Sequence, residues 1–356
     1  MIDYVIVGSG LAGICFAETA TQNEKRFVMI SDHSQNASLV AAGMYNPLVL
    51  KRFTMAWQAG KQLDLAMPFY KGIQERLSVQ FDHKLSVARI LSSVEEQNNW
   101  FVTLDKPAFG RFMSSQLLSN NNTFVKAPHQ LGEVKETGRI DTVKMRDSFV
   151  KDLIEKQQYI AEPFDYNALE IKADYIVYKE IKAKNIIFAE GYGLKQNPWF
   201  NYLPLVGTKG EYLSIYAPEL KEEKALKSAC FLIPLGKGYY KVGATYKWQD
   251  KTSKTTLEAR EELIQKLKKF ITVDFEVVEQ VAGIRPTVTD RRPLVGRHPD
   301  SKLRRLFVLN GFGSRGVLIG PYAAQALIAL IEEEEPLDVE MDISRFSAHW
   351  PSDQKK

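Results

Sequence analysis

Residues 4 to 18 read YVIVGSGLAGICFAE, and this stretch decides the fold. Its first four residues are apolar and predict a short buried strand that leads directly into a G-x-G-x-x-G loop. In such a loop Gly8 permits the tight turn, Gly10 lets the backbone approach a pyrophosphate, and Gly13 lets the next helix pack closely on the strand. Because the N-terminal amides and the positive dipole end of that helix point at the same place, the stretch predicts a dinucleotide-binding site.

The contacts to the dinucleotide are expected from the whole loop and from the end of the next strand. The loop contributes Gly8, Ser9, Gly10, Leu11, Ala12 and Gly13. The second strand, residues 27–30, ends at Ser31 and Asp32, and an acid at this place accepts hydrogen bonds from the adenosine ribose. Ser31 occupies the position where the acid usually lies, so the register leaves both residues as candidates. The alternative is that Asp32 is only a polar residue of the loop.

The composition is that of an ordinary soluble globular protein, with 45% apolar and 25% charged residues. A chain of 356 residues is long enough for two domains, each with its own core. The two cysteines, Cys15 and Cys230, are expected to be buried thiols rather than parts of a disulfide or a metal site. The sequence shows no secretory signal and no run of about 18 apolar residues, so we expect no membrane segment and a reducing cytoplasm.

The net charge of +4, from 47 basic and 43 acidic residues, is too balanced to indicate nucleic acid by itself. Basic residues nevertheless cluster in two short segments. One holds Arg291, Arg292, Arg297, Lys302, Arg304 and Arg305, and the other holds Lys266, Lys268 and Lys269. Such clusters are more often solvated surface, and the alternative is a footprint for RNA.

The order of the predicted elements indicates two interleaved domains. Beyond the first strands, the patterns predict helices near 57–77, 145–157, 256–270 and 321–332, short strands between 79 and 134, and strands near 168–178, 185–189, 211–215, 231–234, 240–244 and 306–309. We therefore expect an α/β fold in which a Rossmann-like domain, residues 1–77, 137–204 and 280–356, is interleaved with a mainly antiparallel α+β substrate domain. The substrate domain would comprise residues 78–136 and 205–279.

Two further stretches are expected to contact the cofactor. Small residues from 38 to 47 would let the backbone pass close to a ligand. A second glycine turn follows the strand at 185–189, and cofactors of open α/β sheets bind at the carboxyl ends of strands. The candidates from these stretches are Ser38, Ala42, Gly43, Met44, Ala189 and Gly191.

Three segments together with the first glycine loop carry a resemblance to a known family. They are GIRPT at 283–287 with Asp290, Pro293 and Gly296; NGFGSRGV at 310–317; and the small-residue stretch at 38–47. In this order and spacing they resemble the FAD-dependent D-amino-acid oxidase (DAO) superfamily, which includes glycine and sarcosine oxidases, over nearly the whole chain. The resemblance implies a glutathione-reductase-like FAD-binding domain of the DAO type and oxidation of a carbon–nitrogen bond. The FAD is expected to be non-covalent, because neither cysteine lies in a motif near the flavin.

Within this superfamily the details are most similar to the oxidase half of the bifunctional enzymes that make 5-methylaminomethyl-2-thiouridine in tRNA. The similar residues are Gly43, Tyr45 and Pro47 ahead of Lys51, Lys209-Gly210, residues 243–246 and residues 313–316. The chain has no methyltransferase half, so it would work alone or beside a separate protein. Some family members also place a tyrosine and an arginine around the strand at 232–234, where this chain has Phe231 and Leu235.

The chemistry that the resemblance implies assigns two arginines as catalytic candidates, Arg285 and Arg315. Arg285 lies in an apolar segment, and its fork suits the substrate carboxylate; the alternative is an internal salt bridge, for example to Asp290. The C-terminal turn would contact the flavin and stabilise negative charge at its N1/O2 edge; the alternative is a ligand-free connection. The contacts expected there are Gly311, Gly313, Ser314, Arg315, Gly316 and Val317.

Three classes of function remain open from the sequence. The first is an FAD-dependent oxidase of a small-molecule amine, an amino acid or an N-substituted glycine, or of the carboxymethylaminomethyl group on a tRNA wobble uridine, so tRNA is a candidate partner. The second is an NAD-dependent dehydrogenase, which would not require the C-terminal glycine turn. The third is a flavin-binding protein without activity. The sequence indicates neither the electron acceptor nor the oligomeric state.

Overall fold

The computed structural model describes residues 1–350, in which the secondary structure is arranged around two eight-stranded sheets. The strands are β1 (Ile2–Val7), β2 (Phe27–Ile30), β3 (Met44–Tyr45), β4 (Leu48–Val49), β5 (Thr54–Met55), β6 (Asp82–Lys84), β7 (Val87–Ile90), β8 (Met113–Leu118), β9 (Leu131–Val134), β10 (Gly138–Ile140), β11 (Tyr159–Ile160), β12 (Leu169–Ile171), β13 (Ile176–Tyr178), β14 (Ile181–Phe188), β15 (Thr208–Tyr216), β16 (Ala225–Lys227), β17 (Phe231–Gly236), β18 (Tyr239–Gly243), β19 (Glu276–Arg285), β20 (Leu294–Arg297) and β21 (Leu306–Asn310). The helices are α1 (Leu11–Gln22), α2 (Ala37–Val40), α3 (Ala59–Leu77), α4 (Val94–Leu104), α5 (Phe109–Phe112), α6 (Thr142–Glu155), α7 (Leu257–Lys268) and α8 (Gly316–Glu333), with short 3-10 helices at Tyr166–Ala168, Gly191–Gln196, Ser301–Leu303 and Ile343–His349.

The first sheet is built on parallel strands in the order β11–β2–β1–β14–β21. Strands β20, β13 and β12 extend it in antiparallel fashion. Alternate residues of β1 lie in two different cores: Tyr4 and Ile6 in one with α1, α3 and α8, and Val5 and Val7 in the other. Burial on both faces explains why β1 is apolar from Tyr4 to Val7 instead of alternating with polar residues.

The last helix, α8, packs against α1 and α3 in the core of the first sheet. It begins at Gly316, whereas the sequence predicted a start near Pro321. Pro321 has no N–H to donate to the carbonyl of Val317 one turn earlier, and the Tyr70 hydroxyl donates to that oxygen at 2.8 Å instead. In the described chain, α8 is the one helix that is long and apolar enough to span a bilayer. Its packing inside the fold accounts for that apolar composition.

The second sheet has the order β19–β15–β18–β17–β16–β7–β9–β8 and is antiparallel except between β16 and β7. One face packs on α7 through residues such as Leu213, Leu232 and Val242. The opposite face, which we call the site face, carries Tyr212, Phe231 and Arg285. Strand β19 runs through residue 280, so the domain boundary expected there would cut a strand.

Two helices, α4 and the short α5, lie between residues 79 and 134, where the sequence predicted short strands. Two side-chain hydrogen bonds hold the start of α4: the hydroxyl of the N-cap Ser93 accepts from the Glu96 N–H, and the Glu96 carboxylate accepts from the N–H of the preceding Ser92. The S-x-x-E pattern at residues 93–96 is a helix-start signal that the sequence contains, but the short strands predicted on both sides left no helix in the prediction.

Candidate active site

The first glycine loop has two glycines that packing requires and one that leaves space. Gly8 has a φ of +106°, and a Cβ there would lie 2.5 Å from the carbonyl oxygen of Ala189. A Cβ on Gly13 would overlap the carbonyl oxygen of Gly8, whereas one on Gly10 would meet only the Ser38 hydroxyl at 3.6 Å. Gly10 therefore faces open space at the start of α1, as a pyrophosphate site needs.

The N-terminus of α1 presents its amides without a side-chain cap from Gly10 and without an acid in its first turn. Leu11 N–H donates to the Ser38 hydroxyl at 3.0 Å, which ties α2 to the glycine loop. Since no carboxylate of the first turn offsets the positive end of the helix dipole, this end attracts an anion.

At the end of β2, Ser31 rather than Asp32 faces the glycine loop. The Ser9 hydroxyl donates to the Ser31 hydroxyl at 3.0 Å, while the Asp32 carboxylate accepts from the Ser34 N–H at 2.9 Å in its own loop. Burial raises the pKa of Asp32, but the hydrogen bonds from Ser34 and from the backbone of Asp32 itself, together with the nearby charge of His33, lower the pKa below its ordinary value. The geometry favours Ser31 for contact with a ribose.

Three residues near Ser31 were missed by the sequence analysis. Tyr159 donates from its hydroxyl to the Ser31 carbonyl at 3.2 Å and stacks on the ring of His33, with centroids 5.8 Å apart. Arg146 contacts His33 Nδ1. Tyr159 arrives through the pairing of β11 with β2 and Arg146 through α6, which no local pattern could reveal; His33 follows Asp32 directly and was open to prediction.

The second and third glycine turns are held together by Asn310. Its amide donates to the Gly191 carbonyl at 2.9 Å, and its side-chain oxygen accepts from the Gly311 N–H at 2.7 Å. Gly191 and Gly311 both have positive φ, +56° and +78°. Because β14 and β21 are parallel neighbours of the central sheet, their turns and the one after β1 meet at its carboxyl edge, as predicted for the cofactor site.

The turn before α8 combines open space with a buried arginine. Gly313 has a φ of +56°, and nothing lies within 4 Å of an added Cβ. The Arg315 guanidinium donates to the carbonyls of Asn46 at 2.8 Å and Leu48 at 3.1 Å, and burial lowers its pKa. Arg315 therefore fixes the end of the small-residue stretch 38–47 against α8. In that stretch a Cβ on Gly43 would overlap the Ile140 carbonyl.

Arg285, at the end of β19, has one guanidinium nitrogen with no partner. Its Nη1 donates weakly to the Thr245 carbonyl at 3.3 Å, and its buried Nη2 has no hydrogen bond within residues 1–350. The guanidinium lies 4.5 Å from the Tyr246 ring. Asp290 pairs with Arg345 at 2.8 Å, so the alternative of an Arg285–Asp290 salt bridge is wrong. A buried, unsatisfied guanidinium nitrogen is costly, and an incoming carboxylate would relieve that cost.

Lys241 is a further charged residue of the site face that the sequence analysis missed. Its ammonium donates to the carbonyls of Val40 at 2.8 Å and Ala41 at 3.3 Å, and lies 5.2 Å from the Tyr212 ring. Burial lowers the pKa of Lys241 to about 8. A lysine alternating with apolar residues in a predicted strand was the available signal.

The segment that follows β18 is held by a buried ion pair. Lys209 is fully buried, and its ammonium donates to Asp250 at 2.5 Å and lies 3.5 Å from Glu211. Glu211 also accepts from the Gln280 amide at 2.8 Å. These contacts fix the segment that carries Thr245 and Tyr246 against Arg285.

The basic cluster between residues 291 and 305 is partly paired with acids from elsewhere in the fold. Arg292 pairs with Glu340 and Arg297 with Glu334, both at 2.8 Å. Arg304 and Arg305 lie 3.6 and 3.5 Å from Asp174. Three acids distant in sequence therefore offset half of the charge of the six basic residues on which an RNA footprint was considered.

These features together fit FAD. The open space at Gly10 and the uncapped start of α1 suit a pyrophosphate, the Ser31 side suits the adenosine, and the open space at Gly313 with the start of α8 suits the flavin end.

Comparison with known proteins agrees with this geometry. The sequence model of the DAO family, described as FAD dependent oxidoreductase, matches residues 3–330. The glycine oxidase of Bacillus licheniformis is 31% identical over 126 residues, 35% of this chain and 34% of that protein. The tRNA 5-methylaminomethyl-2-thiouridine biosynthesis bifunctional protein MnmC of Azoarcus sp. (strain BH72) is 28% identical over 178 residues, 44% of this chain and 28% of that protein. The matched regions thus span about a third of these curated relatives.

Among solved structures, the iminodiacetate oxidase from Chelativorans sp. BNC1 superposes with a TM-score of 0.76 over 96% of this chain and 98% of that one, at 17% identity. That similarity shows the same fold.

Proposed function

The chain belongs to the DAO family of FAD-dependent oxidoreductases, and on that premise we propose that it oxidises a carbon–nitrogen bond of an amino acid or N-substituted glycine. The observation that carries the proposal is the unpartnered Nη2 of Arg285. It offers a bidentate site for a carboxylate at the edge of the cofactor cradle. The glycine oxidase relatives support this substrate class.

In this proposal some residues bind the substrate or the cofactor, and others position the binding residues. FAD, when bound, accepts hydride from the carbon next to nitrogen. Arg285 holds the substrate carboxylate, and Tyr246 and the Thr245 carbonyl orient its guanidinium. The backbone amides from Gly313 to Gly316 and the N-terminus of α8 would hold the flavin end and would offset negative charge there. Arg315 acts by holding that turn against the 46–48 backbone.

We propose that the flavin is bound without a covalent link. Cys15 is buried on α1 facing Gly320, and burial raises its pKa far above its ordinary value. Cys230 is buried in the core under α7, where burial raises its pKa to about 12. Neither thiol is available as a nucleophile. Acid precipitation should leave all the flavin in the supernatant; flavin in the pellet would contradict this.

A second candidate is oxidative removal of the carboxymethyl group from 5-carboxymethylaminomethyluridine in tRNA, itself an N-substituted glycine. The MnmC relatives favour it, as do two exposed aromatic residues that follow Thr245 closely in the chain. Tyr246 is 58% and Trp248 48% exposed, and exposed aromatic rings can stack on an extruded base. Release of glyoxylate from tRNA carrying this group would support the second candidate.

The first experiment is to identify the released cofactor and to mix the holoenzyme anaerobically with N-substituted glycines. FAD that is bleached, with glyoxylate as product, is the expected result. Arg285→Ala should remain yellow and lose about 3 kcal/mol or more in kcat/KM, with Arg285→Lys recovering part. Arg292→Ala, which removes an arginine from a surface pair with Glu340, is the matched control. A colourless protein would indicate a nicotinamide enzyme, and a yellow protein inert to every amine a non-catalytic flavoprotein.

A further inference from the structure

The site face of the second sheet carries a line of side chains across five strands. Register places Tyr212 opposite Gly243, Gly243 opposite Phe231, Phe231 opposite Lys227, and Lys227 opposite Arg89. Directly paired residues point to the same side of a sheet, so these side chains share one face. Arg285 belongs to the same face because its guanidinium lies 5.9 Å from the Tyr212 ring.

Lys227 is a half-buried cation without a carboxylate partner in the described chain. Its ammonium donates to the Ser228 carbonyl at 2.8 Å and lies 5.1 Å from the Phe231 ring. Burial, followed by the nearby charge of Arg89, lowers its pKa to about 8. Arg89 itself is neutralised by Glu96. Lys227 therefore keeps an ammonium with unused donors at the far end of the line.

The two cations with unused donors are too far apart for one carboxylate. Arg285 lies over Gly210 of β15, and Lys227 is on β16, three strands away in the order β15–β18–β17–β16. With neighbouring strands about 4.8 Å apart, the separation is on the order of 14 Å. The Phe231 ring, a flat apolar surface, lies between them.

We propose that Lys227 is an outer anion subsite of the substrate pocket, and that the substrate is an elongated N-substituted glycine with a second anionic group on its N-substituent. The proposal rests on the proposed function, because Arg285 holds the first carboxylate. The second group would lie roughly 10 Å or more from it, with the connecting chain on Phe231. Glu96, the partner of Arg89, also lines a cleft with Lys51, Arg52 and Lys106, so this cleft holds three cations and one carboxylate. The second group is either the carboxylate of a small acid or the phosphate of a nucleotide.

Binding of thioether acids to the holoenzyme tests the subsite without turnover, because they contain no nitrogen to oxidise. Calorimetry would compare (methylthio)acetate with (carboxymethylthio)alkanoates of increasing length. The long diacids should bind about tenfold more tightly than the monoacid. Lys227→Gln should remove this advantage and leave the monoacid affinity unchanged, Lys227→Arg should retain part of it, and Lys224→Gln on the nearby surface should change nothing. Equal binding of all the acids, or an equal loss for all in Lys227→Gln, would overturn the subsite.

A second set of binding measurements distinguishes a carboxylate of a small acid from a phosphate of a nucleotide. The 5-carboxymethylaminomethyl nucleoside, its 5′-monophosphate and the long diacid are compared in the wild type and in Lys227→Gln. If Lys227 increases the affinity for the monophosphate alone, the second anion belongs to a nucleotide; if it increases the affinity for the diacid alone, the anion belongs to a small acid. Either result supports the subsite. If Lys227 increases the affinity for neither ligand, the subsite is overturned. The proposed function fails separately, when no amine reduces the flavin although the diacids still bind through Lys227.

Discussion

The guanidinium of Arg285 lies directly over the backbone of Gly210, where any side chain on residue 210 would overlap the Nη2 atom. The backbone of β15 thus forms a flat surface under the guanidinium of Arg285, which belongs to the neighbouring strand β19. The absence of a side chain at residue 210 is part of what positions the guanidinium proposed to bind the substrate carboxylate.

Replacing Gly210 by Ala should therefore displace Arg285 and weaken carboxylate binding. We expect KM for an N-substituted glycine to rise by about tenfold, because a shift of the charge-assisted hydrogen bond costs on the order of 1–2 kcal/mol. Flavin content should stay the same. Gly110→Ala, where nothing lies within 4 Å of an added Cβ, is the control. An unchanged KM in Gly210→Ala would show that the guanidinium is not held in this place for binding.

Gly10→Val should give folded protein that lacks FAD. The Cβ of residue 10 has space in the protein itself, so the added side chain takes the volume meant for the pyrophosphate. Flavin absorbance per polypeptide and thermal unfolding of the cofactor-free form are the measurements. Gly72→Val on α3, with nothing within 4 Å of an added Cβ, should keep its flavin. Full flavin content in Gly10→Val would remove the cofactor assignment from this loop.

Arg315→Gln should destabilise the protein and loosen the cofactor, because the carbonyls of Asn46 and Leu48 lose charged donors. The free energy of unfolding should fall by about 2–4 kcal/mol. The measurements are a denaturant titration and the FAD dissociation constant. The control is Arg304→Gln, which changes a solvent-exposed arginine of a surface ion pair. A loss of kcat at full stability and full FAD affinity would instead assign Arg315 a direct part in the reaction.

Glu190 should make stability fall as the pH rises. Burial raises its pKa from the ordinary 4.5 to about 7, despite hydrogen bonds from Tyr166 at 2.5 Å and Asn197 at 2.8 Å. Between these two values the folded state holds a proton that the unfolded state has released, so about 3 kcal/mol is lost from pH 4.5 to 7. Glu190→Gln should lack this fall, and exposed Glu180→Gln should keep it. Parallel pH curves for Glu190→Gln and wild type would contradict the buried carboxyl.

The local part of the site was predictable from sequence, and the tertiary part was not. The role of Gly13 follows from the strand, turn and helix that immediately surround it, whereas the close neighbour of Gly8 is the carbonyl of Ala189 on a distant segment. Arg315 was assigned to the flavin turn, but its partners Asn46 and Leu48 lie on a segment far away in sequence. Lys241 reaches the carbonyls of Val40 and Ala41 only because α2 packs against the second sheet.

Ion pairs between residues distant in sequence could not be predicted either. The arginines between 291 and 305 are adjacent in sequence, and nothing local indicated that Glu340, Glu334 and Asp174 would pair with them. Lys227 has no acidic neighbours in its strand, and a single lysine at a strand end is ordinary surface in most sequences. The local sequence therefore did not predict a binding role for Lys227. Its pairing with Arg89 and Phe231 became visible only from strand register.

The position of β14 between β1 and β21 also governs when the protein can acquire its cofactor during synthesis. The glycine loop leaves the ribosome first, but its partner strands and the turn before α8 are translated much later. Until then the nascent polypeptide holds an incomplete parallel sheet with an unpaired edge, a long-range topology that closes slowly and attracts chaperones. The site proposed for FAD is therefore complete only after the turn before α8 has been translated.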